Sequence, residues 1–130
     1  MATRKITDCI PELQSCWENA IVDYRNAHPL DPQPFLTCCF RDKAEQQIDY
    51  DQGRSKPGKI ITNAKPGQSL HNDYPSRAID VAFKDNTGAV HWDLKYYQIF
   101  AVYMKSHGAH WGGDWKTFKD YPHFEIPKTK

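Results

Sequence analysis

The chain has 130 residues, with 17 Lys and Arg against 16 Asp and Glu, and a formal net charge of +1. A domain of this size hides roughly two thirds of its unfolded surface, enough for one core and no second module. The balanced charge lacks the basic surplus on which attraction to phosphate backbones or anionic lipids depends, so nucleic-acid binding and membrane insertion are not expected.

Two further exclusions concern compartment. No stretch approaches the roughly twenty apolar residues of a membrane span, and the opening MATRKITDCIPELQ has neither the apolar core nor the cleavage site of a secretion signal. A protein made soluble and inside the cell is the expectation. Cys9, Cys16, Cys38 and Cys39 are spaced neither as a zinc site nor as a disulfide framework, and read as free thiols of a reducing cytosol. Adjacent Cys38 and Cys39 alternate sides of a strand, which puts at least one in the core.

In chain order, Asp8 and Pro11 open a helix whose apolar positions Leu13, Trp17, Ala20, Ile21 and Tyr24 recur at three- and four-residue spacing, ending before Pro29. Residues 28–34 carry three prolines and read as loop, and Phe35 to Phe40 as a short buried strand. Asp42 with Glu45 starts a second helix through Tyr50, and residues 52–66 are irregular. Arg77 to Lys84 reads as a strand, turning through Asp85-Asn86-Thr87-Gly88 into Ala89 to Trp92 as a hairpin. Asp93 is a candidate cap for a third helix with Tyr96, Ile99, Phe100, Tyr103 and Met104 on its apolar face, stopped by Gly108. A last strand is expected around His123 to Ile126. The fold class is α+β, a small, mostly antiparallel sheet flanked by helices in a single domain, 1–130.

The residue that draws attention is Asp80. It stands between Ile79 and Val81 in an apolar strand, where a carboxylate is costly unless a cation or hydrogen-bond donors meet it. Near the C-terminus Asp120 precedes His123 by three residues across a proline-containing turn. A catalytic zinc centre needs about three protein ligands, an open position and a nearby base. His71, Asp80, His123 and Asp120 supply such a set, although a lone histidine is more often a surface or hydrogen-bonded residue and the spacing alone is a modest signal.

These segments also carry a resemblance. Ser69-x-His71, Ala78-x-Asp80 and Asp120-x-x-His123 resemble, in order, the signature of the zinc peptidases that include D-alanyl-D-alanine carboxypeptidases and dipeptidases and the phage L-alanyl-D-glutamate endopeptidases. Trp111-Gly112-Gly113-Asp114-Trp115, Pro122-His123-Phe124-Glu125, Phe40-Arg41-Asp42 with Gln46, Gln52-Gly53-Arg54 and Pro57-Gly58 are similar to stretches of the same enzymes, so the likeness covers about residues 10 to 127.

The resemblance implies a fold of the hedgehog and DD-peptidase type. It implies a Zn²⁺ cofactor on His71, Asp80 and His123, and Asp120 as general base. Arg41 is implied to hold the substrate's carbonyl or carboxylate, with Ser69 supporting the substrate. The implied substrate is the bacterial peptidoglycan stem peptide. The expected protein is a monomeric phage endolysin cutting the L-alanyl-D-glutamate bond, without a wall-binding domain, held in the host cytoplasm until released to the wall. A D-alanyl-D-alanine carboxypeptidase is the alternative, and a non-catalytic zinc-containing wall-binding domain a third reading. One departure is the longer, proline-bearing connection from Asp73 to Ser76, which makes Asp73 a substitute ligand should Asp80 miss the metal. Asp114 and Glu125 stay outside the catalytic set, as partners either of a ligand imidazole or of a structural contact.

Overall fold

The structure, a computed structural model, describes residues 1–128. Helix α1 (Pro11–Ala27) and helix α3 (Leu94–Ser106) pack together over one face of a five-stranded antiparallel sheet. The strands are β1 (Gln33–Cys38), β2 (Ala78–Lys84), β3 (Val90–His91), β4 (His110–Trp111) and β5 (His123–Glu125), and the short helix α2 (Lys43–Asp51) follows β1. Their order is β1-β2-β5-β4, with β3 also paired to β2.

The apolar spacing of α1 places Leu13, Cys16, Trp17, Ala20 and Tyr24 in the core. The helix begins later than its sequence suggests: Asp8 belongs to a preceding 3-10 turn, Ile10 is the cap residue and Pro11 takes the first helical position, where its missing N–H costs nothing. Asp42 caps α2 as expected, its side chain accepting from the Glu45 N–H at 2.9 Å. Asp93 stands at the cap position of α3 without making a side-chain bond. On α3 the fully buried residues are Tyr97, Phe100, Ala101 and Met104, while Tyr96, Ile99 and Tyr103 flank them half-buried. Tyr97 escapes the sequence reading because its hydroxyl is satisfied inside, donating to the Val81 carbonyl at 2.7 Å.

Strand β1 starts two residues before the expected run, and Pro34 is accommodated in it, opposite Phe83. The second arm of the hairpin contracts to Val90–His91. The four cysteines are free and buried, with Cys39 in the core cluster and Cys38 outside it.

Period-two alternation in β2 and β5 decides where the chemistry lies. Ile79, Val81, Phe83 and Phe124 point into the helix-covered core. Asp80, His123 and Glu125, one residue out of phase, therefore project from the opposite face. Register aligns them further: Asp80 lies opposite His123 on one side and opposite Cys38 on the other, past a bulge between Leu36 and Cys38. No helix of the described residues is long and apolar enough to cross a membrane.

Candidate active site

The uncovered sheet face forms one wall of a cleft of about 600 Å³. Its floor is Asp80. Its Oδ1 lies 3.1 Å from His71 Nε2 and 3.5 Å from His123 Nδ1, and the two imidazole rings sit 5.0 Å apart. Both histidines are almost fully buried.

Each imidazole is oriented from behind. His71 sits in the 3-10 turn Leu70–Asn72, which Ser69 caps by accepting from the His71 N–H at 3.2 Å. That turn is clamped to the Arg41 backbone: Arg41 N–H donates to the His71 carbonyl at 2.8 Å, and Asn72 Nδ2 donates to the Arg41 carbonyl at 2.9 Å. The His71 Nδ1 faces the Cys39 carbonyl at 2.7 Å, so Nδ1 carries a proton and Nε2 is directed at Asp80. On the other side, His123 Nε2 pairs with Glu125 Oε1 at 2.5 Å, so Nδ1 is the nitrogen turned to Asp80.

This arrangement tests the fit of a metal ion. Two imidazole nitrogens converge on one carboxylate oxygen while their other nitrogens face acceptors. Without a cation, a ring can donate on both sides only when it is doubly protonated. Burial opposes that charge on His71 and His123, but the Asp80 carboxylate overcomes it and raises both above the usual imidazole range. Burial likewise opposes the charge of Asp80, yet His71 and the hydrogen bonds from both rings hold its carboxyl well below the ordinary value. His71, Asp80 and His123 would hold a divalent cation in place of those protons, and the two-imidazole, one-carboxylate donor set suits zinc. Asp80, Asp120 and His123 each offer an atom within 4.8 Å of the others, as do Cys38, His71 and Asp80.

Asp120 stands at the rim, half exposed, its Oδ2 4.0 Å from His123 Nδ1. Burial and the neighbouring Asp80 charge raise its carboxyl above the ordinary range, against the pull of His123, His71 and Arg41. Its loop is placed by Gly112. The Asp120 N–H donates to the Gly112 carbonyl at 3.1 Å, and a Cβ on Gly112 would lie 2.3 Å from the Asp120 carbonyl oxygen. Only glycine allows the two backbones so close.

Arg41 closes the opposite side. Its Nε faces Asp49 Oδ2 at 3.3 Å, Nη1 donates to Gln46 Oε1 at 3.1 Å, and Nη2 donates to Asp80 Oδ2 at 3.3 Å and Cys38 Sγ at 3.5 Å. Gln46 is fully buried and its Nε2 donates to the Ala64 carbonyl at 2.8 Å, tying Arg41 to the cleft wall at residues 61–64. Arg54 braces the same wall through Thr62 O at 3.0 Å and Asn63 Oδ1 at 3.1 Å.

The structure thus brings His71, Asp80, His123, Asp120, Arg41 and Ser69 to one cleft. The longer Asp73 to Ser76 connection does not displace Asp80; Asp73 instead pairs with Lys128 at 3.2 Å. Glu125 belongs with the site as the partner of His123, whereas Asp114 pairs with Lys105 at 2.8 Å. Trp115 lines the cleft, its ring centroid 5.1 Å from that of His123, and Trp111 is core. Sequence reasoning missed Asp49, which contributes to the cleft through its ion pair with Arg41; nothing in its local sequence marks it.

A small antiparallel sheet carrying one imidazole and a carboxylate, met by a second imidazole from a neighbouring 3-10 turn and by another carboxylate at the rim, is the frame of a metallopeptidase. Residues 62–126 match the family model described as D-alanyl-D-alanine carboxypeptidase, and the chain belongs to that family. The peptidoglycan L-alanyl-D-glutamate endopeptidase CwlK of Bacillus subtilis (strain 168) is 42% identical over an alignment of 101 residues that covers 70% of this chain and 59% of CwlK. The chain therefore spans less than two thirds of that relative's length. Among solved structures, the Serratia marcescens L-Ala D-Glu endopeptidase ChiX superposes with a TM-score of 0.67 at 24% identity, covering 94% of this chain and 83% of ChiX. A mutant of the vancomycin resistance D,D-pentapeptidase VanY, in complex with Zn(II), also gives 0.67 at 14% identity, covering 97% of this chain and 78% of VanY. Both share the fold.

Proposed function

We propose that the chain is a zinc peptidase that hydrolyses the L-alanyl-D-glutamate bond in the peptide stem of bacterial peptidoglycan. The observation that carries this reading is the convergence of His71 Nε2 and His123 Nδ1 on Asp80 Oδ1. The 42% identity to an enzyme named for that bond supports the choice of substrate.

His71, Asp80 and His123 would hold the ion, which when bound supplies Lewis acidity. Asp120 takes the proton of the attacking water and returns it to the departing amine; its raised carboxyl suits both transfers. Arg41 offers an N–H to the oxygen of the scissile carbonyl, where negative charge develops. Ser69 fixes the turn that presents His71. Glu125 and the Cys39 carbonyl hold the two imidazoles in the ligating tautomers.

The biological setting proposed is that of a monomeric phage endolysin, kept in the host cytoplasm until lysis and then acting on the wall. Asp120 stands where the carboxypeptidases that the sequence resembles tend to have Glu, which leans toward that branch. The second reading, a D-alanyl-D-alanine carboxypeptidase, is favoured by the description of the matching family model. Digestion of purified peptidoglycan separates them. New D-glutamate amino termini support the endopeptidase, and release of free D-alanine without them overturns it in favour of the carboxypeptidase. A wall that binds the protein and yields no fragments would point to a non-catalytic domain.

A further inference from the structure

In a stem peptide the D-glutamate residue is linked onward through its side-chain carboxyl, so its α-carboxyl is free and is carried either as a carboxylate or as a carboxamide. We infer that this cleft selects stems in which that group is the carboxamide, D-isoglutamine rather than D-isoglutamate. The inference rests on the L-alanyl-D-glutamate reading above.

The cleft wall is acidic. Asp49, Asp80, Asp120 and Glu125 line it, and among the described lining residues Arg41 is the only lysine or arginine. Even a divalent ion at the histidines leaves this wall net negative. A substrate carboxylate entering it meets like charges in partly desolvated surroundings, where Coulomb repulsion is several times stronger than in bulk water.

Arg41 has little left to give. Of its five N–H donors, one on Nη1 goes to Gln46 and those on Nη2 to Asp80 and Cys38, while Nε lies in an ion pair 3.3 Å from Asp49 Oδ2. The remaining Nη1 donor suits a single carbonyl oxygen. Recognition of a carboxylate by arginine typically uses two parallel N–H bonds from the planar fork, and that fork is already committed. Nor would the guanidinium swing away at little cost. Gln46 is fully buried, and turning Arg41 outward would strip its Oε1 of the donor it faces and leave the Asp49 and Asp80 carboxylates uncompensated.

The cleft offers uncharged polar groups instead. Thr62, Asn63, Gln68 and Thr117 line the same cleft as uncharged polar residues, with Thr62 Oγ1 and Gln68 Oε1 each accepting one backbone N–H, from Ala64 and Lys65. Arg54 occupies Asn63 Oδ1, which fixes the plane of that amide. A carboxamide, with one acceptor and two donors, can be matched by such groups at no charge penalty. A carboxylate could use only the donors, and would still face the acidic residues.

Two synthetic tetrapeptides, L-Ala-γ-D-Glu-L-Lys-D-Ala and its D-isoglutamine counterpart, test the inference. Each is titrated by calorimetry into the full chain, metal-free and zinc-loaded, and its cleavage is followed by chromatography. The amidated peptide should bind at least about ten-fold tighter to both forms, with the gap widening at low salt as repulsion is less screened. Cleavage should follow the same order in kcat/KM. Asp49→Asn, which removes one of the opposing charges, should narrow the gap by improving the carboxylate peptide. Equal or tighter binding of the carboxylate peptide overturns the inference, as does cleavage confined to it, and either result leaves the peptidase reading standing. If the zinc-loaded protein binds the peptides and cuts neither, the proposed activity fails while the binding ratio still decides the selectivity. Absence of binding to both overturns the two together.

Discussion

Asp80 and His123 are direct partners across the β2–β5 ladder, and the carboxylate Oδ1 of one lies 3.5 Å from the Nδ1 of the other. This contact links a strand position to the last histidine of the chain. The expected consequence of His123→Ala is loss of the metal, because two donors remain where a catalytic zinc requires about three. Asp120→Ala should instead keep stoichiometric zinc and lower kcat by roughly 10²–10⁴-fold, the usual worth of a general base. Elemental analysis beside a peptidoglycan digest checks both. Full activity in the Asp120 variant would remove it from the mechanism.

Glu125 holds His123 from behind through Nε2. Removing such a partner leaves the imidazole free to rotate and less basic. Glu125→Ala should therefore weaken zinc binding by about 10–100-fold without unfolding the domain. Competition against a chromophoric chelator measures this, and unchanged affinity would show that strand register alone orients the ring.

Gly112 touches the loop that carries Asp120. Since an added Cβ would stand 2.3 Å from the Asp120 carbonyl oxygen, and the one is fixed by its backbone while the other is itself backbone, one segment must move. Gly112→Ala should cost about 1–3 kcal/mol of stability, as overpacking does, and should depress kcat by displacing the base while zinc content holds. Thermal denaturation and single-turnover kinetics read the two effects separately.

Asp85 gives a pH dependence far from the cleft. Its carboxylate pairs with His91 at 2.7 Å and accepts from Thr87 Oγ1 at 2.6 Å, and from the N–H groups of Thr87 and Ala89. The His91 contact first, and then the Thr87 bonds, hold it far below the ordinary carboxylate range. Because the folded value is depressed, the hairpin gains stability at pH above the unfolded carboxylate value and loses it only as pH falls through the folded one. Amide exchange in residues 84–91 should thus remain slow at pH 4 relative to an Asp85→Ala variant, and the difference should vanish in strong acid. A carboxyl that titrates at the usual value by NMR would contradict this.

Much of the fold is local and was open to reading from the chain. Three- and four-residue spacing marks α1, the Asp42 to Glu45 cap marks α2, and an aspartate between Ile79 and Val81 announces a carboxylate that a cation or hydrogen-bond donors must meet. The misplacements, such as the short β3 and the uncapped α3, fall at element ends, where the cost of a residue's conformation is small and neighbours decide it.

The sequence by itself determined which side chains had the chemistry of a metal site and on which face of a strand Asp80 would stand, since side-chain period is a property of the backbone. Tertiary structure alone decided that Asp80 lies opposite His123, that Glu125 rather than Asp114 supports an imidazole, and that Asp49, Gln46, Asp80 and Cys38 occupy the Arg41 guanidinium. Strand register and ion pairing between distant segments depend on how the whole chain buries its apolar surface, and that free energy is not a sum over neighbouring residues.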